Sequence, residues 1–219
     1  MKRLVFGLLA VLTLPIGLSA QGAAPSAESV ITRAARVYQT LTSFRAEFRQ
    51  KLEDPRIDQA EARGTLYQMG NRFAMRFSDP KETAFVLDGQ HAWFYNPSES
   101  PGQVMRLPMP AGPVYEYDLL GWFLERPLEK YRVSYVREDQ VDGAKADVLL
   151  LEPLTPTMPF RRATLWIDRE SSLPRKFDID EKLFIRHLTL SRIRTNSTIP
   201  ASIFDFSVPK GVRVIDQRQ

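Results

Sequence analysis

The sequence predicts a mainly β (α+β) fold: one long, strongly curved antiparallel sheet with helices over its concave side. Three observations lead there. Ten to twelve short runs of alternating or β-rich residues follow one another at meander spacing. One clear amphipathic helix precedes them, and a single later helix candidate interrupts them. An antiparallel sheet of that length must curl or close, and so few helices cannot coat both of its faces.

Ser26 is a suitable N-cap. Val30, Ile31, Ala34, Val37, Tyr38 and Leu41 follow at helical spacing, which predicts a helix from Ala27 to Thr42. At Phe44 the period changes to two. Phe44, Ala46 and Phe48 alternate with Arg45, Glu47 and Arg49 in a strand running to Leu52. After a loop with Asp54-Pro55, Gly64–Tyr67 reads as the second strand, Phe73–Phe77 as the third and Thr83–Leu87 as the fourth. Gly70-Asn71 and Asp79-Pro80 punctuate them. Asp88-Gly89 is a two-residue hairpin signal leading into Gln90–Tyr95. Val104–Leu107 follows, then a proline-rich loop from Pro108 to Pro113. Val114–Glu125 is the second helix candidate, with Tyr117, Leu120 and Leu124 on one side and Gly121 weakening it. From Tyr131 strands resume: Tyr131–Val136, Ala146–Leu151, Ala163–Ile167, Arg175–Ile179 and Phe184–Ile193. The chain closes with Phe206–Pro209 and Val212–Ile215.

The first 20 residues read as a secretory signal peptide: basic Lys2 and Arg3, an apolar run from Leu4 to Leu18, and Leu18-Ser19-Ala20 before the cut. A single domain over residues 21–219 follows, opened by the small-residue tether Gln21–Pro25. Removing Lys2 and Arg3 leaves 28 basic against 26 acidic residues, too even a balance to suggest nucleic acid. The expected product is exported, soluble and monomeric.

The chain has no cysteine, so disulfides, thiolate metal sites and cysteine nucleophiles are excluded. With only His91 and His187, a histidine-built metal or catalytic centre has little material. Glu138-Asp139 and the group Asp178, Asp180, Glu181 sit beside turns and read as solvated surface rather than acid–base pairs. No phosphate loop, nucleophile elbow or H-E-x-x-H motif is present. No catalytic residue, metal or cofactor is expected.

The strand faces of the first half are strongly aromatic. Core packing and an apolar cavity use the same residue types, so the pattern fits both. On the cavity reading, Phe48, Phe73, Met75, Phe77, Phe85, Trp93 and Tyr95 line it. Val30, Ala34, Val37, Tyr38 and Leu41 form the inner face of the helical lid.

The order of features resembles the LolA family. Phe44-Arg45-Ala46-Glu47-Phe48-Arg49-Gln50 is similar to its F-x-A-x-F-x-Q strand, and Gly64-Thr65-Leu66 to its G-x-L strand. Arg72-Phe73 and Pro80 match the strand and break that follow. The run from Asp88-Gly89 through Trp93 and Tyr95 to Pro97 resembles its D-G-x-x-x-W-x-Y-x-P hairpin. Val208-Pro209-Lys210-Gly211-Val212 and Asp216-Gln217-Arg218 resemble its closing residues.

The resemblance implies an incomplete antiparallel β-barrel under an α-helical lid. It implies a periplasmic carrier that takes acylated lipoproteins from an inner-membrane ABC transporter of the LolCDE kind. The carrier passes them to an outer-membrane acceptor of the LolB kind, without enzymatic chemistry. Phe73 would stand at the cavity mouth. The family's lid-binding arginine ahead of that strand is replaced by Met69 or Gly70, and Arg72 falls out of register. That departure leaves a second reading, a carrier or sensor of free lipid or glycolipid; a third, of another class, is a protein-binding regulatory module.

Overall fold

The computed structural model describes residues 25–216 except 55, 57–59 and 116. The expected signal peptide, most of the tether, Pro55 and the terminal Gln217-Arg218 lie outside the described residues.

Helix α1 (Ala27–Gln39) starts where Ser26 caps it, the Ser26 hydroxyl accepting from the Ser29 amide at 3.1 Å. It ends three residues earlier than its periodicity predicts. Thr40 donates its hydroxyl to the Val37 carbonyl, and the chain turns toward the sheet. Val30, Ile31 and Ala34 are fully buried, whereas Leu41 lies beyond the helix in the connection to the first strand.

Twelve strands follow among the described residues: β1 (Phe44–Glu53), β2 (Ala60–Met69), β3 (Arg72–Asp79), β4 (Ala84–Leu87), β5 (His91–Tyr95), β6 (Gln103–Pro108), β7 (Tyr131–Val141), β8 (Ala144–Pro153), β9 (Arg162–Asp168), β10 (Pro174–Asp180), β11 (Ile185–Thr195) and β12 (Arg213–Asp216). They form one sheet in the order β12-β6-β5-β4-β3-β2-β1-β11-β10-β9-β8-β7. Every pairing is antiparallel except β12 with β6, which is parallel. Among the described residues the ends of the sheet do not pair, so it is an open, curved half-barrel with β7 and β12 as its edges.

Between β6 and β7 lie two short helices, α2 (Leu119–Leu124) and α3 (Pro127–Lys130). Helix α2 begins later than the periodicity predicts because Asp118 caps it, accepting from the Gly121 amide at 2.9 Å. A Cβ on Gly121 would meet Asp118 Oδ2 at 2.5 Å. The glycine that weakens the helix in sequence is the one that lets its cap form.

Gly64 answers a different demand. On β2 it stands opposite Phe48 and Phe77, and a Cβ there would meet the Arg76 carbonyl oxygen at 2.1 Å. The glycine admits two aromatic rings side by side, Phe48 edge-on to Phe77 with centroids 5.0 Å apart.

Strand alternation divides the apolar residues between a concave core and two convex ones, the smaller of which is Val141, Ala146, Val148 and Trp166. The concave face carries Phe44, Phe48, Leu66, Phe73, Met75, Phe85, Leu87, Leu165, Phe177 and Leu188, packed against α1 and α2. The convex face of β3–β6 carries Ala74, Val86, Trp93, Tyr95 and Val104. It is covered by the C-terminal segment: Ile199, the 3₁₀ turn Ala201–Phe204, Phe206 and Val214.

This division corrects the sequence reading at two positions. Phe85 pairs with Phe94, and Val86 with Trp93, so Phe94 faces inward while Trp93 and Tyr95 face outward. Trp93 stacks on Phe206 at 5.3 Å and donates its indole N–H to Asp88 at 2.7 Å. Tyr95 lies edge-on to the same Phe206.

Candidate functional site

The concave face is built in rows running across the strands. One row holds Gln68, Phe73, Leu87, Ala92 and Leu107; the next holds Leu66, Met75, Phe85, Phe94 and Met105. Phe48, Gly64 and Phe77 continue a third. Five of the seven residues expected to line a cavity, Phe48, Phe73, Met75, Phe77 and Phe85, therefore share this face. Trp93 and Tyr95 do not.

Helix α1 lies over this surface, against α2, α3 and the edge strand β7. Its Tyr38 hydroxyl accepts a 2.7 Å hydrogen bond from Gln68 Nε2 on β2. Burial is the main reason the Tyr38 hydroxyl is held above the usual tyrosine range, so it stays neutral. Arg33 fastens the other side of the helix, donating to Ser172 Oγ at 3.0 Å. Val37 and Tyr38 are half-buried at the lid's inner edge.

Gln68 is a residue that sequence reasoning missed. Its signal was its position two residues after inward-facing Leu66. Met69 and Arg72 pair with each other and face outward, the Arg72 guanidinium lying over the Phe204 ring at 5.1 Å. Neither reaches the lid.

The interior opens at both ends. A cleft of about 360 Å³ lies by the β2–β3 turn, lined by Tyr38, Gln68, Phe73, Leu87, Met109 and Asp118. Burial pushes the Asp118 carboxyl up to about 6, with the Glu125 charge adding to the effect. A second cleft of about 350 Å³ lies at the opposite end, lined by Leu52, Met75, Phe77, Phe94, Tyr117 and Arg186.

This second end has a polar pole. Arg186 is 7% exposed and faces inward from β11, paired with Glu181 at 2.6 Å and donating to Gln50 Oε1 at 3.0 Å. Tyr115 donates to the same Glu181 at 3.0 Å. Glu181 is thus an interior partner rather than the solvated surface carboxylate its turn position suggests. Asp178 behaves as surface, bonding His187 Nδ1 at 2.7 Å, and His187 is a paired structural histidine.

The site is thus a half-barrel with an aromatic interior, a hydrogen-bonded helical lid and clefts at both ends. Comparison with known proteins agrees with that geometry. The family described as "Outer membrane lipoprotein carrier protein LolA" matches residues 39–207. The chain belongs to the LolA family. The proteins of that family are carriers and not enzymes. The outer-membrane lipoprotein carrier protein of Pasteurella multocida is 30% identical over 163 residues, 71% of each chain. Among solved structures, an uncharacterized conserved protein from Thermus thermophilus superposes with a TM-score of 0.57 at 14% identity, over 87% of this chain and 99% of that one. A chain of the Pseudomonas aeruginosa MucA/MucB complex gives 0.51 at 18% identity, over 86% of this chain and 63% of that one. At those identities the two structures speak for the LolA-type fold alone. No helix among the described residues is long and apolar enough to cross a membrane.

Proposed function

We propose that this LolA-family chain is a periplasmic carrier of acylated lipoproteins, a single domain following a removed leader. It receives cargo from an inner-membrane ABC transporter of the LolCDE kind and delivers it to an outer-membrane acceptor of the LolB kind. Acyl chains occupy the concave face, with Phe48, Phe73, Met75, Phe77, Phe85 and Phe94 as the lining. The observation that carries this reading is the continuous apolar inner face beneath a lid held by a neutral hydrogen bond, Gln68 to Tyr38.

The energetics support a shuttle. Each methylene removed from water is worth about 0.8 kcal/mol, so an exposed acyl chain is strongly disfavoured and shelter is essential. Delivery requires the opposite: the guest must leave. Beside the buried contacts of Val30, Ile31 and Ala34, the lid is fastened by a neutral bond of about 1 kcal/mol from Gln68 and by Arg33 on Ser172, and a partner that displaces such contacts shifts the open–closed balance.

With Met69 or Gly70 where the family has its lid arginine, and neutral Gln68 as a lid contact, one second reading is favoured, a carrier of free lipid on the same fold. Native mass spectrometry of the protein taken from its own periplasm separates the two. A bound mass equal to an acylated polypeptide supports the lipoprotein carrier. A bound small-lipid mass without polypeptide overturns it in favour of the second reading.

A further inference from the structure

The two clefts are separate spaces, and the Tyr117 ring packs on the row of buried side chains between them. The Tyr117 ring stacks on Phe85 with centroids 4.0 Å apart and planes within 14°. It also leans on Phe94 at 5.8 Å. Phe85 stands in the middle row of the concave face beside Met75 and Phe94, which line the second cleft, and next to the row of Phe73 and Leu87, which line the first. Tyr117 therefore occupies the apolar track that would join the two clefts.

The segment carrying it is fastened on both sides. Before it, Tyr115 is tied to Glu181 and stacks on Phe160 at 5.8 Å. After it, Asp118 caps α2 and donates its amide to the Val114 carbonyl at 2.9 Å. Short fastenings on either side hold the ring against Phe85, yet Tyr117 belongs to a connection and not to a strand or helix. It can withdraw without breaking a ladder hydrogen bond of the sheet.

We propose that Tyr117 is a specificity-determining residue that sets how deep an acyl chain enters the barrel. The proposal rests on the carrier reading and refines it. With the ring on Phe85, a chain entering past Phe73 stops at the middle row. With the ring absent, the track continues across the middle row, along Met75 and Phe94, to Phe77.

The test uses the whole mature protein and displacement of cis-parinaric acid by saturated fatty acids from octanoic to palmitic. While a chain still gains contacts, affinity rises by up to about fourfold per methylene. In the wild type the rise is expected to level off within the series. In Tyr117→Ala the levelling is expected at longer chains, raising palmitic acid affinity more than about tenfold over wild type. Tyr117→Phe, which keeps the ring, is expected to follow the wild type. Tyr117→Leu provides a second truncation should the alanine variant fold poorly by circular dichroism. Levelling at the same length in wild type and a folded truncation would overturn the gate while leaving the carrier reading intact. No displacement in any variant would overturn lipid binding itself, and the gate with it.

Discussion

Gln68 and Tyr38 join the lid to the barrel: the carboxamide of an inward residue on β2 donates 2.7 Å to a phenol on the last turn of α1. The pair sits at the rim of the cleft that Phe73 also lines. Both partners are neutral, so the contact is insensitive to salt in a way that an arginine latch would not be.

Removing either partner should loosen the lid. Gln68→Leu and Tyr38→Phe are each expected to cost about 1 kcal/mol in urea unfolding, and the double variant little more than either alone. Amide exchange in α1 should quicken in both, without a matching change in β9 and β10. Additive costs would show that the two side chains do not act together.

Phe73→Glu should fold and fail in transfer. Phe73 is buried at the border of the first cleft, so a carboxylate there puts charge into the apolar mouth. Reconstituted transfer of a lipoprotein from inner-membrane vesicles is the measurement. Normal transfer by a folded Phe73→Glu protein removes this residue from the site.

The convex core should be separable from binding. Phe204 is fully buried under the C-terminal segment, and Phe204→Ala is expected to cost about 3 kcal/mol of stability. Its cis-parinaric acid affinity, measured well below the melting temperature, should remain that of the wild type. Trp93→Phe should behave likewise, because its indole serves Asp88 and Phe206 on the outer face.

Asp118 predicts a pH dependence of defined sign. Its folded carboxyl titrates near 6, above the unfolded value of about 3.9. The native state therefore holds the proton more tightly. This contribution is fully present below about pH 4 and is lost as pH rises through 6, up to on the order of 2 kcal/mol. Asp118→Asn keeps an acceptor for the Gly121 amide and removes the titration. The fall in melting temperature from pH 5 to pH 7.5 should be smaller in that variant than in the wild type. Comparing the two cancels the carboxylates that act in the opposite direction, such as Asp88 and Asp168, whose hydrogen bonds hold them below the usual range.

Much of this molecule is legible in its sequence. The switch from a 3.6-residue to a two-residue period between Leu41 and Phe44 marks the passage from lid to barrel. The turn pairs Gly70-Asn71 and Asp88-Gly89 fix where strands reverse. The long antiparallel run forces curvature, and the alternation in β1 and β3 puts Phe48, Phe73, Met75 and Phe77 on one face. Those features are local, and local propensities and periods suffice to write them.

Tertiary structure decided the rest. Which face of β5 turns inward depends on its pairing with β4, so Phe94 rather than Trp93 enters the cavity. A one-residue shift exchanges every side chain between faces, and β5 is aromatic on both. A second core outside the barrel exists only because the C-terminal segment returns across β3–β6. Gln68 becomes a lid contact through Tyr38, 30 positions away, and Glu181 an interior acceptor for the hydroxyl of Tyr115, 66 positions away. Period and composition report a residue's own surroundings along the chain. Pairing register, the cover over the outer face and the contacts of inward polar groups are set by distant segments, and only the folded arrangement brings those together.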